Sequence, residues 1–259
     1  MIDLAASPLE VAPQLLGATL TANGVGIRVT EVEAYCGGID PGSHAFRGRT
    51  ARNNTMFLGP GHLYVYFTYG MHFCINVVCW PEGEPGACLI RAGEVVAGED
   101  IARERRSGVV RSRDLARGPA NLARSLAISR EADGSLLRVD GRIPMGEAAA
   151  GLQHDAAAPG TGVAALDTDT VSPDTAGDRD IVVDLDGGGE YAGANAAHVS
   201  TGPRVGVSGV GGDGEAYPWR FWLTADPTVS AYKRGGGSRT RRGQASAVAA
   251  REGRLNPRS

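Results

Sequence analysis

The chain has 259 residues, of which 42% are hydrophobic, and its formal net charge is −3. A chain of this size and composition can bury one substantial core or two small ones, and we expect one domain with an insertion. No apolar run approaches the 18 residues of a membrane span, and no basic region precedes an apolar segment at the N-terminus. These features argue against a transmembrane helix and a secretory signal, so we expect a cytoplasmic protein.

The first predicted elements are a helix and a strand. Residues 7–10 (SPLE) combine an N-cap serine, a proline at the first helical position and a glutamate at the third, a capping box that predicts a short helix to about Leu16. Residues 26–35 alternate as a strand with Glu31 and Glu33 on one polar face. Glutamates on strands usually face solvent, and the alternative is a chemical role for Glu33.

Two loops follow this strand. Residues 36–44 are rich in glycine and proline and are predicted to bring His44 close to another strand. The next segment, RGRTARNN, is basic and small, which suits phosphate contact by Arg47, Arg49 and Arg52. An ordinary solvated loop is the alternative interpretation of that segment.

Residues 62–78 (HLYVYFTYGMHFCINVV) are predicted to form a β-hairpin. Two aromatic and β-branched runs flank TYGM, whose glycine tolerates a positive φ. Alternation places Tyr64 and Tyr66 on one face, as a platform for a planar ligand. Aromatic hairpins are more commonly sheet core, but a tyrosine at the turn and Asn76 within an apolar strand both favour a surface that binds something.

The later elements complete an α+β pattern. Residues 101–106 predict a charged, solvated helix, and residues 118–128 predict a helix that packs through Leu122 and Leu126. Residues 219–223 (WRFWL) alternate as a late strand with tryptophans in the core. We therefore expect an α+β fold with a curved, largely antiparallel sheet, flanking helices and a protruding β-hairpin.

The charge is unevenly distributed along the chain. Residues 152–197 contain nine acids and one arginine, a local charge of −8, so the remainder carries +5. Residues 233–259 contain eight bases and one acid. This distribution permits phosphate binding although the total charge is negative.

Composition also predicts the domain boundaries. Residues 1–232 are expected to form the folded domain, with an acidic, partly mobile insertion at about 152–197 that contains a strand-like run at 181–183. Residues 233–259 are expected to be a basic disordered tail. A role in nonspecific DNA affinity and a solubilising role are both open for that tail.

The cysteines and histidines do not form a metal-site pattern. The four cysteines include no C-x-x-C pair and lie in strand-like segments, where they resemble small packing residues. His62 and His72 are ten residues apart, and no histidine belongs to an H-E-x-x-H motif. We expect no metal and no other cofactor.

Residues 28–94 contain a dense, ordered series of short motifs. The series is TEVEAY (30–35), SH (43–44), TARN (50–53), MF (56–57), PG (60–61), LYVY (63–66), YGM (69–71), FCINV (73–77) and LIRA (89–92). Weaker similarity continues at residues 118–122 and 202–207. Together these motifs resemble those of the 3-methyladenine (alkyladenine) DNA glycosylase family, mammalian type.

The resemblance implies a compact single domain and a base-excision repair enzyme. Such an enzyme flips an alkylated or deaminated purine out of double-stranded DNA and hydrolyses its N-glycosidic bond. In this resemblance Glu33 matches the general base that activates water, and Arg91 matches an arginine near that water. A carboxylate also stabilises the oxocarbenium character of such a reaction.

The resemblance also implies roles in binding. Residues that match the pocket around the flipped base are Tyr35, His44, Tyr64, Tyr66 and Asn76, of which Asn76 matches the asparagine that disfavours guanine. Tyr69 matches the intercalating tyrosine, a wedge that offsets the cost of extrusion. Met71 and His72 are further candidates for DNA-backbone contact, and His72 departs from an aromatic residue in the family.

Two other functions remain open from the sequence. A noncatalytic reader of damaged or modified nucleic acid would keep the pocket, although Glu33 speaks against it, and a small-molecule hydrolase would act on free nucleosides. The resemblance leads us to expect a monomer that binds damaged duplex DNA and no membrane, and that is nucleoid-associated if bacterial. Lys233 is the only lysine and falls in the predicted tail, so we expect water as nucleophile and a monofunctional enzyme.

Overall fold

The computed structural model describes residues 2–68, 70–108, 110–141, 184–186 and 198–236. Within these ranges it has three α-helices, α1 Pro8–Leu15, α2 Glu99–Arg106 and α3 Pro119–Ser125. The strands are β1 Thr19–Ala22, β2 Val25–Tyr35, β3 Leu63–Thr68, β4 His72–Cys79, β5 Gly86–Ala97, β6 Ala116–Arg117, β7 Arg138–Val139, β8 Asp184–Asp186, β9 Val199–Gly202 and β10 Arg220–Leu223. Short 3-10 turns include Gly37–Ile39, Asn54–Phe57 and Val210–Gly212.

The described strands form one curved, mostly antiparallel sheet. Its main path runs β3-β4-β5-β2-β1-β8-β7, and only the β7–β8 pair on it is parallel. Strand β10 pairs with β2 beside β1 and carries β9 on its outer edge. The long strands β2 and β5 therefore lie at the centre, where both faces are covered and side chains of either polarity become buried.

The main core lies on one face of β2. Val25, Ile27 and Val29 face it at period two, and Val32 faces it after a shift of one residue. The pairing of β2 with β5 shifts register on both sides of Glu31, which marks a β-bulge. Because a bulge adds one residue to one strand, it reverses the alternation that follows it. Beyond the bulge, Glu33 lies on the face opposite this core.

Two predicted helices, the predicted hairpin and the predicted late strand are confirmed. Helix α1 begins after Ser7, whose backbone N–H and hydroxyl both donate to the Glu10 carboxylate at 3.1 and 2.7 Å. Helix α3 begins at Pro119 and buries Leu122. The hairpin pairs β3 with β4, and β10 completes the sheet against β2. All four cysteines are free and buried, as expected of packing residues.

The acidic segment 152–197 contributes one described strand. Leu185 in β8 is fully buried in the main core, and β8 pairs with both β1 and β7. The strand-like run at 181–183 and the rest of that segment lie outside the described residues, as do residues 237–259. None of the helices described has the length and apolar content to span a bilayer.

Candidate active site

A cavity of about 540 Å³ opens between the β3–β4 hairpin, strand β5 and the chain around residues 205–208. Seven residues predicted from the sequence line it, namely Tyr35, His44, Tyr64, Tyr66, His72, Asn76 and Arg91. Glu33 is fully buried behind this lining, in contact with Tyr35 and Arg91. The structure therefore brings the predicted catalytic and pocket residues to one place.

The Glu33 carboxylate accepts three hydrogen bonds from separate parts of the chain. The Tyr35 hydroxyl donates to Oε2 at 2.9 Å and Arg91 Nη1 donates to the same oxygen at 3.3 Å. The Val205 backbone N–H donates to Oε1 at 2.6 Å. The expected solvent-facing position for strand glutamates is wrong for Glu33, because Tyr35, Arg91 and the chain at Val205 enclose its carboxylate.

Arg91 lies between two carboxylates. Its Nε donates to Glu31 Oε1 at 3.0 Å, while Nη1 reaches Glu33. Burial lowers the pKa of Arg91, but the charges of Glu33 and Glu31 more than offset this effect, so the net pKa is raised. The guanidinium is therefore positively charged wherever the protein is folded.

One wall of the cavity consists of two tyrosines of strand β3 and a histidine from the preceding loop. The rings of Tyr64 and Tyr66 lie 5.3 Å apart at 32°, and His44 meets Tyr66 edge-on at 4.7 Å. The Tyr64 hydroxyl lies 3.1 Å from His44 Nδ1. The predicted approach of His44 to another strand and the shared face of the tyrosines are confirmed.

Burial keeps this wall uncharged at neutral pH. It raises the pKa of Tyr64 to about 12 and raises the pKa of Tyr66 further. Burial also lowers the pKa of His44, and the nearby positive charge of Arg52 lowers it again. A neutral, aromatic wall suits stacking against a planar heterocycle.

Asn76 sits on β4 directly opposite Tyr64. Its Nδ2 donates to the Tyr64 backbone carbonyl at 2.9 Å, and the residue is buried at the cavity. The amide is therefore paired, although the strand around it is otherwise apolar. The hydrogen bond holds the amide plane in one orientation at the cavity edge.

Thr68 and His72, on the two strands of the hairpin, line the cavity, and the basic loop contacts the hairpin through Arg52. Tyr69 lies outside the described residues; Gly70 beside it has φ of 66°, as the turn prediction requires, and Met71 is 67% exposed. Arg52 Nη2 donates to the Phe67 carbonyl at 3.4 Å. Arg47 and Arg49 are exposed, and Arg49 also lies over the Phe57 ring.

A buried ion pair supports the cavity from behind. Arg204 donates through both terminal nitrogens to Asp40, at 2.5 and 2.6 Å, and both residues are fully buried. The guanidinium also lies 4.6 Å from the centre of the Tyr35 ring. The weak motif similarity at 202–207 was the sequence signal for this support, but nothing in it identified Asp40 as the partner.

Sequence reasoning missed other residues from the C-terminal part. Ser230 donates to Glu31 through both its backbone N–H and its hydroxyl. Lys233, assigned to the predicted tail, lines the cavity, and its carbonyl accepts from the Gly206 N–H at 2.8 Å. No short-range pattern links these residues to β2, so only their three-dimensional placement reveals them.

Comparisons with known proteins agree on one family. A family model described as methylpurine-DNA glycosylase (MPG) matches residues 3–164. Similar proteins occur in Streptomyces avermitilis (46% identity over 87% of each chain) and Leifsonia xyli subsp. xyli (47% over 88% of this chain and 90% of the relative). A third, from Cutibacterium acnes, is 43% identical over 89% of this chain and 98% of the relative. All three carry the provisional name 3-methyladenine DNA glycosylase and all are bacterial, so the mammalian type stays a prediction.

Proposed function

Because the chain belongs to the methylpurine-DNA glycosylase family, we propose that it is a DNA glycosylase that hydrolyses the N-glycosidic bond of alkylated purines in duplex DNA. The observation that carries this proposal is the Glu33 carboxylate, buried with Arg91 behind an aromatic cavity. A buried, hydrogen-bonded carboxylate beside a ligand-sized cavity is a costly arrangement for structure alone.

The cavity has the size and chemistry for a flipped purine. Its volume of about 540 Å³ lies within the usual range for small-molecule sites. Tyr35, His44 and Tyr66 offer ring faces and edges, and stacking contributes about 1–3 kcal/mol per base with little dependence on base identity. Tyr64 supports this wall through its contact with His44. Such a pocket accepts alkylated and deaminated purines alike.

Selectivity against normal guanine is assigned to Asn76. Its amide is held by the Tyr64 carbonyl, so it cannot turn away from a base that enters the pocket. Guanine differs from adenine and hypoxanthine in its exocyclic 2-amino group, which meets this fixed amide unfavourably. Discrimination then comes from an unfavourable contact with the wrong base.

The proposed reaction uses Glu33 as general base. The carboxylate takes a proton from water while the water oxygen bonds to C1′, and the purine leaves with the electrons of the broken C1′–N bond. The negative charge of Glu33 also stabilises the positive character that develops at C1′. Arg91, bound to Glu33 Oε2, orients the carboxylate and the water.

The mouth of the cavity is proposed to hold the DNA. Tyr69 would enter the base stack, while Arg47, Arg49 and Arg52 contact phosphates, with Met71 and His72 beside them. We propose that the enzyme acts on double-stranded DNA as a monomer. The expected cytoplasmic or nucleoid location agrees with that substrate. Residues 1–232 remain our proposal for the glycosylase domain, with the acidic insertion at about 152–197 and the tail from 233.

Water is proposed as the nucleophile, although Lys233 lines the cavity. Lys233 is exposed at the rim, whereas amines that form Schiff bases are activated by desolvation. Glu33, by contrast, lies buried with its donors in place. The protein is therefore proposed to be monofunctional, releasing the base without cutting the strand.

The proposal is tested by incubating the full chain with duplexes that contain 3-methyladenine or hypoxanthine and with the matching free nucleosides. We expect base release from the duplexes and none from the nucleosides. Release from nucleosides alone would identify a small-molecule hydrolase, and tight duplex binding without release would identify a reader. Borohydride is added in parallel, and a trapped protein–DNA adduct that Lys233→Met abolishes would contradict direct hydrolysis.

A further inference from the structure

Glu31 has no role in the reaction proposed above, yet it is the centre of the ionic network behind the cavity. It is fully buried, and its two oxygens accept four hydrogen bonds. Arg91 Nε, Arg220 Nε and the Ser230 hydroxyl donate to Oε1 at 3.0, 2.6 and 2.9 Å, and the Ser230 N–H donates to Oε2 at 2.7 Å. Both oxygens of this buried carboxylate are therefore engaged, and three of the four donors meet at Oε1.

We propose that Glu31 is a positioning residue for catalysis, which holds Arg91 so that the arginine can orient Glu33. This inference rests on the proposed glycosylase function. Glu31 does not touch the substrate; it acts through Arg91, and Arg220 and Ser230 in turn hold Glu31. The site thus contains two carboxylates with different roles: Glu33 takes part in the reaction, and Glu31 holds the arginine that orients Glu33.

The geometry of Arg91 supports this assignment. All three of its guanidinium nitrogens have partners: Nε at Glu31, Nη1 at Glu33 and Nη2 at the Ser230 hydroxyl at 3.4 Å. Because a guanidinium is planar and its donors point in set directions, these three contacts fix its orientation. Arg91 approaches Glu31 at 3.0 Å and Glu33 at 3.3 Å, so Glu31 holds the guanidinium at least as closely as the reactive carboxylate does.

The balance of buried charge gives a second reason. Glu31 and Glu33 face Arg91 and Arg220, and all four residues are buried. If Glu31 became neutral, Arg91 would have Glu33 as its only anionic partner and would be drawn toward it. A tighter ion pair would stabilise the charged form of the Glu33 carboxylate and so oppose its uptake of a proton from water.

The backbone of β2 provides independent support. The register shifts relative to β5 lie immediately on both sides of Glu31, so the bulge is centred where this side chain must be directed. Bulges are common next to active sites, where they re-aim a side chain. Regular alternation would leave Val29 and Glu31 on the same face, whereas the bulge places Val29 in the core and Glu31 in the ionic network.

The test compares Glu31→Gln with the wild type in single-turnover excision from a hypoxanthine duplex. We expect the excision rate to fall by about 10- to 100-fold, as is typical when a supporting residue is lost, while the Kd for the lesion duplex stays unchanged. Glu94→Gln is the matched control, because it also removes a carboxylate from an arginine on β2, Arg28, away from the cavity. Its excision rate should equal that of the wild type.

A double mutant separates positioning from general support of the fold. In an Arg91→Gln background, adding Glu31→Gln should change the excision rate little, because the residue through which Glu31 acts is already lost. Rate losses that simply multiply would overturn the proposal, as would a wild-type rate in folded Glu31→Gln.

If Glu31→Gln fails to fold, Ser230→Ala is used to test the proposal instead. This change removes one hydroxyl that contacts both Glu31 and Arg91 and leaves the backbone donor in place. A reduced excision rate at unchanged Kd supports the proposal, and an unchanged rate overturns it. Absence of excision by the wild type would refute the glycosylase function itself, an outcome distinct from either of these.

Discussion

Replacing Glu33 with glutamine removes the general base of the proposed mechanism, because an amide cannot take a proton from water, while the shape of the side chain is kept. General-base loss costs about 10²- to 10⁴-fold in rate, or about 3–5 kcal/mol of barrier. The negative charge facing C1′ disappears as well, and loss of one electrostatic stabiliser typically costs about 2.7–4 kcal/mol. The two effects overlap, so we expect a loss near the upper end, about 10⁴-fold.

The same substitution also has a cost in stability. Three donors now meet the carboxylate, with Tyr35 and Arg91 at one oxygen and Val205 at the other. An amide offers one oxygen and two further donors, so one side of the group loses an acceptor. Leaving a buried donor unsatisfied costs about 1–3 kcal/mol. We therefore expect a lower Tm for Glu33→Gln, with a folded protein at assay temperature.

The assay measures base release, duplex binding and thermal unfolding on the same preparation. We expect base release to be abolished within the assay, with the Kd for a hypoxanthine duplex retained, since no residue that lines the cavity is replaced. Glu94→Gln serves as the surface control, with unchanged release. Near-normal base release by folded Glu33→Gln would remove Glu33 from the mechanism.

Four further predictions follow from the site. Asn76→Ser should raise excision of normal guanine relative to hypoxanthine by about 10- to 100-fold, and an unchanged ratio would contradict the role of the fixed amide. Tyr69→Ser should weaken lesion-duplex binding by about 1–3 kcal/mol and slow excision, and equal binding by the folded variant would exclude a wedge. Lys233→Met should lower the magnitude of the salt slope of DNA binding by about 1 if the amine contacts a phosphate, and an unchanged slope would exclude that contact. Burial lowers the pKa of His44 in the folded protein below its ordinary value of 6.5, so the unfolded chain binds a proton at this histidine first as the pH falls. The free energy of unfolding should therefore decrease below about pH 6.5, and it should decrease less in His44→Gln. Measuring Tm against pH for both proteins tests this.

The sequence predicts the local elements well because their signals are short-range. Alternation identified β2 to within one residue at its start, and the aromatic runs around Gly70 identified the hairpin. The shared face of Tyr64 and Tyr66 follows from period two alone. The motif series supplied the candidate roles of these residues, which periodicity could not do.

What could not be predicted depends on long-range packing. Glutamates on a strand are usually solvated, whereas here the chain at Val205 meets Glu33 and the chain at Ser230 meets Glu31, and both carboxylates are buried. The composition of residues 233–236 is that of a tail, yet contact with the 205–208 segment brings Lys233 to the cavity. In both cases the deciding neighbour is far away in the sequence.

The hydrogen bonds to the two glutamates have a consequence for synthesis of the protein. Glu33 meets Val205 after 172 further residues, and Glu31 meets Ser230 after 199. At ribosomal rates of about 5–20 residues per second, about 10–40 s separate translation of Glu31 from that of its last partner. Once residue 94 has been translated, the nascent chain contains the whole motif series, but it still lacks Val205, Arg220 and Ser230, which also donate to the two carboxylates. A chain that stops before Val205 therefore has the residues of the aromatic wall without the full set of donors, and the charge geometry of the site is complete only after Ser230 has been translated.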